Sequence, residues 1–261
     1  MFGKLFKTSR PSPAPVALQA SVPPGERIYA IGDIHGRADL LDQLLAMIDE
    51  DNIARGPAKI RLIFLGDLID RGPDSKGVVE RLMDVKARHP ETHILLGNHE
   101  EVFLQAMRTG SIGALRYALR IGADTTIQSY GVTGEEYTRT SIEQLLEISR
   151  QRVPEAHLDF MADFEDMVFA GDYVFVHAGV RPDKPLDRQK INDLRWIRDD
   201  FLDYRGTLEK IVVHGHSIAD AVETLPHRIG LDTGAYASGV LTAMGFEGGE
   251  RWLLQTGTGP G

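Results

Sequence analysis

Apolar residues follow two rhythms along this chain. Short, nearly continuous apolar runs at Arg27–Ile31, Ile60–Leu65, about Thr92–Leu96, Tyr173–His177 and Lys210–Val213 read as buried strands. Between the first three, apolar positions recur at helical spacing. Leu40, Leu41, Leu44, Leu45 and Ile48 mark a helix over about Ala38–Asp49, and Val78, Val79, Leu82 and Val85 mark another over Ser75–Arg88. This β-α-β-α-β alternation predicts parallel strands with helical crossovers, and ligand-binding loops at the strands' C-terminal ends.

From Glu100 to about Met161 the strand pattern is lost. Helical stretches at Glu101–Arg108, Ile112–Ile121, Ser141–Val153 and Glu155–Met161, interrupted by Gly122, Gly131 and Gly134, predict a helical cap inserted over about 101–161. Strands then resume, with Met167–Ala170 and Tyr173–His177 forming a hairpin across Gly171-Asp172. Further strands are expected at Arg228–Leu231, Gly239–Met244 and Arg251–Leu254. The fold class is therefore α/β with α+β character: two packed mixed β-sheets flanked by helices, with a helical insertion. Residues 1–25, rich in Pro, Ser and Ala, read as a flexible tail whose Phe2, Leu5 and Phe6 offer at most a weak contact. One domain is expected over 26–255, and 256–261 as a loose end.

Composition narrows the chemistry. The 261 residues carry a formal net charge of -9, which argues against broad electrostatic binding of nucleic acid. Cysteine is absent, so disulfides, thiolate nucleophiles and iron–sulfur clusters are excluded and any metal must be held by oxygen and nitrogen. No apolar run reaches the roughly 20 residues of a membrane span. The N-terminal Met1–Lys7 lacks an apolar stretch after its positive charges, so a cytoplasmic home without stable membrane association is the expectation.

Each strand-like run ends in a polar cluster: Gly32-Asp33-Ile34-His35-Gly36, Gly66-Asp67-Leu68-Ile69-Asp70-Arg71-Gly72, Gly97-Asn98-His99-Glu100, His177-Ala178-Gly179 and His214-Gly215-His216. Alone, Asp33-x-His35 also reads as a helix cap beside a surface histidine, and His177 as a satisfied core residue. Together they deliver Asp33, His35, Asp67, Asn98, His177 and His216 to one sheet edge, a ligand inventory that suits a pair of divalent cations. The two carboxylate oxygens of Asp67 can bridge two metals. Arg71 offers a planar fork to a phosphate, with Arg198, or secondarily Arg195, as a second clamp. His99 is the candidate general acid and Asp70 the group that orients it. His214 stands behind His216, and Asp232 and Tyr236 are placed to line the pocket or form a simple turn. His89, His93, His157 and His227 lack neighbouring ligands and read as structural. The reaction such a site specifies is metal-assisted hydrolysis of a phosphate ester.

In order and spacing, GDIHGR, GDLIDRG, GNHE, VHAG and HGHS make the chain resemble the metal-dependent phosphoprotein phosphatases. These are calcineurin-like metallophosphoesterases, and the likeness is to their bacterial and phage-type branch. The resemblance implies one metal on Asp33, His35 and Asp67 and a second on Asp67, Asn98, His177 and His216, with Mn²⁺ expected first and Fe²⁺ or Zn²⁺ as alternatives. It implies direct attack on phosphorus by a hydroxide shared between the metals. His99 with Asp70 would protonate the leaving group, while Arg71, Arg198 and Asn98 bind the phosphate. Ser217-Ile218 departs from the family's usual Thr-Pro after the last histidine. The leading expectation is a serine/threonine protein phosphatase. Its rival is a hydrolase of small phosphates such as symmetrical dinucleoside tetraphosphates, and a third reading is a binding protein that has lost catalysis. Inward arginine or aromatic side chains on the cap (Arg116, Tyr117 and Arg120 are available) would favour a nucleotide over a phosphopeptide.

Overall fold

The computed structural model describes residues 20–257. Strand β1 (Glu26–Ile31) leads through α1 (Ala38–Arg55) to β2 (Lys59–Phe64), and α2 (Ser75–Arg88) leads to β3 (Thr92–Ile94). Helices α3 (Asn98–Thr109), α4 (Ile112–Ile121), α5 (Ala123–Ser129), α6 (Gly134–Arg139), α7 (Ile142–Arg152) and α8 (Glu155–Ala162) follow. The chain continues with β4 (Met167–Ala170), β5 (Tyr173–Val176), α9 (Ile191–Trp196), α10 (Asp199–Leu202), β6 (Ile211–His214), β7 (Glu223–Thr224) and β8 (Arg228–Gly230). It closes with α11 (Ala235–Ser238), β9 (Thr242–Glu247) and β10 (Glu250–Gln255).

One sheet runs β10-β9-β1-β2-β3 and the other β4-β5-β6-β8-β7. The β1–β2–β3 pairings are parallel, as the alternation predicts, while β9 and β10 join antiparallel, so the sheet is mixed. In the second sheet β5, β6 and β8 are parallel and the edges antiparallel. Period-two alternation sorts the side chains into layers. Ile28 and Ala30 of β1, Tyr173 and Phe175 of β5, Val213 of β6 and Phe246 of β9 pack in one cluster between the sheets. Tyr29 and Ile31 face the other way and join α1, α2 and the helices of the 101–161 segment in a second cluster. Val174, Val176 and Val212 face outward under Leu194, Ile197 and Phe201. A fully buried aliphatic side chain contributes about 1.5–3 kcal/mol. A one-residue slip of β1 would exchange both faces and is strongly disfavoured.

Several boundaries differ from the sequence expectation. Within the expected 1–25 tail, residues 20–25 are anchored, because Val22 is buried between the sheets and its N–H donates to Gly248 O at 3.0 Å. Residues 1–19, with Phe2, Leu5 and Phe6, and 258–261 lie outside the described residues. Thr256, expected in a loose end, is buried and its N–H donates to Leu241 O. Strand β9 starts at Thr242 rather than Gly239, because Gly239 ends α11 in the left-handed region (φ 74°). Among the described residues no helix is long and apolar enough to cross a membrane.

Candidate metal centre

The loops after β1, β2, β3, β5 and β6 converge at one edge of the two sheets. Asp33 and His35 follow β1, and Asp67, Asp70 and Arg71 follow β2. Asn98 and His99 form the first turn of α3 behind β3, His177 follows β5, and His216 follows β6. Backbone bonds tie the first two loops together, with the His35 N–H donating to Asp67 O at 2.9 Å and the Gly36 N–H to Leu68 O at 2.7 Å. The buried Glu100 carboxylate fixes the second loop, accepting the N–H groups of Asp67 (3.0 Å), Leu68 (2.8 Å), Ile69 (3.1 Å) and Gly97 (3.1 Å). Gly97 is required here, since a Cβ would collide with Asp67. Among the described residues, the non-glycine positions in the left-handed region are His35 (φ 45°), Asp67 (49°), Asp70 (73°), Arg71 (67°) and His216 (63°). All five belong to this site. Each is a conformation that costs free energy and persists only where surrounding structure enforces it.

The side chains meet around Asp67. Its Oδ2 lies 3.7 Å from His35 Nε2 and 3.8 Å from His99 Nε2, and its Oδ1 lies 3.3 Å from His177 Nε2. Two triads, His35–Asp67–His99 and Asp67–His177–His216, each have ligand atoms within 4.8 Å of one another and share Asp67. The proton inventory shows what they lack. His177 Nδ1 is 2.7 Å from Leu65 O and His35 Nδ1 is 2.7 Å from Ile69 O. A carbonyl cannot donate, so in the neutral ring the proton sits on Nδ1 and Nε2 is bare. His177 Nε2 lies 3.0 Å from Asn98 Oδ1 and 3.3 Å from Asp67 Oδ1. Burial opposes charge on this ring, yet Asp67 raises its pKa, so without a cation a proton on Nε2 meets the carboxylate and a cation would take that proton's place. His216 adds two buried ring nitrogens without a hydrogen-bond partner among the described residues. Asp33 is held against the His216 loop, accepting the His216 N–H at 2.9 Å. This donor set fits divalent cations with mixed oxygen and nitrogen ligation.

Electrostatics agree with that fit. Burial pushes His35 down to about 3 and His216 down to about 2, keeping both rings in the neutral, metal-binding form. Burial opposes charge on Asp67 too, but His177 and His99 outweigh it and hold the carboxyl well below the usual range. Burial, then Asp232 and Asp67, push Asp33 well up. Asp33, Asp67, Asp70, Glu100 and Asp232 are all buried, an excess of negative charge that cations would offset.

His99 differs from the other rings. Its Nδ1 is 2.7 Å from Asp70 Oδ2 and its Nε2 is 3.2 Å from the Arg71 guanidinium, a cation where a metal would otherwise sit. Asp70 is held by a Thr126 hydroxyl donating to Oδ1 at 2.6 Å, and Ser75 and Thr126 accept its N–H. Burial disfavours the His99 imidazolium, yet Asp67 and Asp70 overcome it and the pKa is raised. Burial likewise raises Asp70 against the pull of His99 and Thr126. The two groups meet across one Nδ1–Oδ2 contact, so the shifts belong to the pair rather than to either member.

The remaining sequence candidates separate clearly. Arg71 sits 5.0 Å from the Tyr236 ring centroid, and Tyr236 is edge-on to His35 at 5.5 Å. Arg198 is exposed, forms no side-chain ion pair among the described residues, and its charge acts on His216. It lines a cleft of about 360 Å³ with Trp196 and Arg181. Arg195 is instead engaged by Glu101 (2.8 Å) and Asp166 (2.7 Å). His214 turns away from Asp67 toward Phe201, ring centroids 5.1 Å apart. His93 pairs with Glu165 and His157 with Tyr130, both outside the centre, as do the positions of His89 and His227. Sequence reasoning missed Glu100 as the anchor of the Asp67 loop and Ser75 and Thr126 as supports for Asp70. The Glu100 signal was present in its Gly97-Asn98-His99-Glu100 run. Thr126 had none, because α5 is too short to show a periodicity.

Comparison with known proteins matches residues 26–236 to the family described as calcineurin-like phosphoesterase. An asymmetrical bis(5'-nucleosyl)-tetraphosphatase of Anoxybacillus flavithermus is 26% identical over 236 residues, covering 83% of this chain and 89% of that protein. Serine/threonine-protein phosphatase 2 of Salmonella typhimurium is 30% identical over 227 residues, covering 82% and 90%. A crystal structure provisionally ascribed to a diadenosine tetraphosphatase superposes with a TM-score of 0.61 over 93% of this chain and 96% of that one. At 21% identity that last likeness speaks to the fold alone.

Proposed function

The chain belongs to the calcineurin-like phosphoesterase family, and on that footing we propose that it is a two-metal hydrolase of dinucleoside tetraphosphates. The observation that carries the chemistry is the shared Asp67 carboxylate, which lies between the neutral His35 ring on one side and His177 on the other, beside a His216 ring whose two nitrogens have no partner among the described residues. Asp33, His35 and Asp67 would hold one cation, and Asp67, Asn98, His177 and His216 the other. When bound, such a pair supplies an activated water and positive charge at phosphorus. Manganese is the first candidate, with iron or zinc as alternatives.

The chain's own residues do the rest. Arg71, beside His99 Nε2, and the unpaired Arg198 grip the phosphoryl oxygens from two sides and stabilise charge as it develops, and Asn98 sits at the same phosphate. In its imidazolium form His99 would pass an Nε2 proton to the departing oxygen once the Arg71 guanidinium, which faces that nitrogen at 3.2 Å, has turned to the phosphate, while Asp70 fixes the ring through Nδ1.

The substrate reading reverses the order expected from sequence, in which a phosphoprotein came first. Support comes from Trp196, which lines the cleft with Arg198 and meets Tyr117 of the cap with ring centroids 6.1 Å apart. Trp196 Nε1–H donates to Glu101 at 2.5 Å, so the aromatic surface is held in place next to the free Arg198. An aromatic face beside a cation suits a base joined to phosphates. The relative from Anoxybacillus is named for such a substrate. The second reading, a protein phosphatase, rests on the Salmonella relative. Metal-reconstituted protein assayed side by side on diadenosine tetraphosphate and a phosphoserine peptide separates them. The proposal expects kcat/KM to favour the dinucleotide by at least about 100-fold, roughly 2.7 kcal/mol. Preference for the peptide would overturn it.

A further inference from the structure

A buried carboxylate beside the centre has no role in this account. Asp232 follows β8 and is 3% exposed. Its Oδ1 accepts the Gly234 N–H at 2.9 Å, which closes the turn into α11, while its Oδ2 has no hydrogen-bond partner among the described residues. The backbone of Leu231-Asp232 lies directly against the Asp33 loop. A Cβ on Gly32 would collide with Leu231 O and reach Asp232 N at 3.5 Å, so only glycine permits this approach. Among charged groups, Asp232 is the strongest influence on Asp33, and Asp67 in turn acts on Asp232. Two buried carboxyls on loops this close, one with a free oxygen, are costly in their charged forms unless a cation lies near them, the alternative being that one keeps its proton.

A helix cap alone does not explain an aspartate here. Asparagine would accept the Gly234 N–H equally well and carry no charge into a buried site that already holds Asp33 and Asp67. The acidic side chain, whose pKa burial raises, is therefore free to take a cation in place of a proton. Arg71 and His177 are the positive or potentially positive groups that act on Asp232, and neither forms a bond to Oδ2.

We propose that Asp232 is a further carboxylate of the metal centre on the Asp33 side, its free Oδ2 accepting a share of that cation's charge directly or through a water. This rests on the two-cation reading of the centre. It makes Asp232 a positioning residue for metal occupancy, and α11 then couples the centre to Tyr236 four residues on.

The test is calorimetric titration of Mn²⁺ into metal-free wild-type protein and the Asp232→Asn variant, with thermal unfolding of both in the metal-free state. Asparagine keeps the acceptor for Gly234 and removes only the charge. The expected result is two Mn²⁺ sites in the wild type. In the variant one of them should be weakened by about 10–100-fold, the usual range for a carboxylate supporting a metal site. The metal-free variant should melt no lower than wild type, because the amide keeps the Gly234 bond and no ion pair is lost. A purely structural residue would lose stability without metal and keep its affinities. Unchanged affinities at both sites would overturn the Asp232 assignment while leaving the two-cation reading intact. Failure of the wild type to bind a pair of cations would overturn that reading and the assignment with it. Should Asp232→Asn not fold, Asp232→Ser, also uncharged with a short acceptor, substitutes with the same expected loss.

Discussion

Replacing His99 by Asn removes the proton donor while leaving the proposed ligands around Asp67 in place, because His99 is not among them and its backbone N–H still donates to Asp67 Oδ1 at 3.1 Å. A positioned general acid contributes about 10²–10⁴-fold, or about 2.7–5.4 kcal/mol of barrier. The share owed to Asp70 follows from the geometry. Its 2.7 Å bond to His99 Nδ1 is a charge-assisted one of about 1.5–3 kcal/mol. Asp70→Asn keeps an Oδ1 to accept from Thr126, so the loop stays put and the loss is confined to orienting the ring. That single variant should therefore lose about 10–100-fold. Since Asp70 acts through His99, the double variant should be no slower than His99→Asn alone. The assay is kcat/KM on an alkyl and an aryl phosphomonoester at equal manganese content. The loss in His99→Asn should be large for the alkoxide leaving group and small for the phenolate, which departs without a proton. Equal losses on both substrates, or additive losses in the double variant, would refute the acid-pair reasoning.

Other variants probe neighbouring parts of the account. Arg198→Ala should lower kcat/KM by about 10–100-fold, as for a lost charged contact to phosphate, with an unchanged melting temperature because the side chain is exposed and unpaired. Tyr117→Ala, at an exposed position of α4, should raise KM for diadenosine tetraphosphate and leave aryl phosphate turnover alone. Equal effects on both substrates would remove the aromatic cleft from recognition. Gly32→Ala should destabilise the fold by about 1–3 kcal/mol in urea unfolding, since its Cβ meets the Leu231 carbonyl rather than a side chain that can swing away.

The sequence made the parallel β1–β2–β3 unit legible because its strands are apolar at the buried positions other than Arg27 and Thr92 and its helices carry full stripes. Strand ends were legible for the same reason: charge abutting a buried run has few structural uses. What was hidden falls into two kinds. Short elements such as α5, α6 and β7 hold too few residues to express a period, so Thr126 under Asp70 could not be foreseen. Contacts between distant segments were the other kind. Val22 inserting between the sheets, and Tyr117 of the cap meeting Trp196, depend on packing that no local pattern records. Arg195 and Arg198 show the limit well. Three residues apart and equally basic, they part company only because Glu101 and Asp166 lie within reach of one and not the other.

The central claim is that Asp67 joins two cation sites into one hydrolytic centre. Its most direct test is to titrate Mn²⁺ into metal-free protein while recording bound metal per chain and phosphate release together. The account predicts two manganese ions per chain, with hydrolysis tracking the doubly loaded form, and loss of both in Asp67→Asn. Activity in the rigorously metal-free protein, or full activity with one ion per chain, would contradict it.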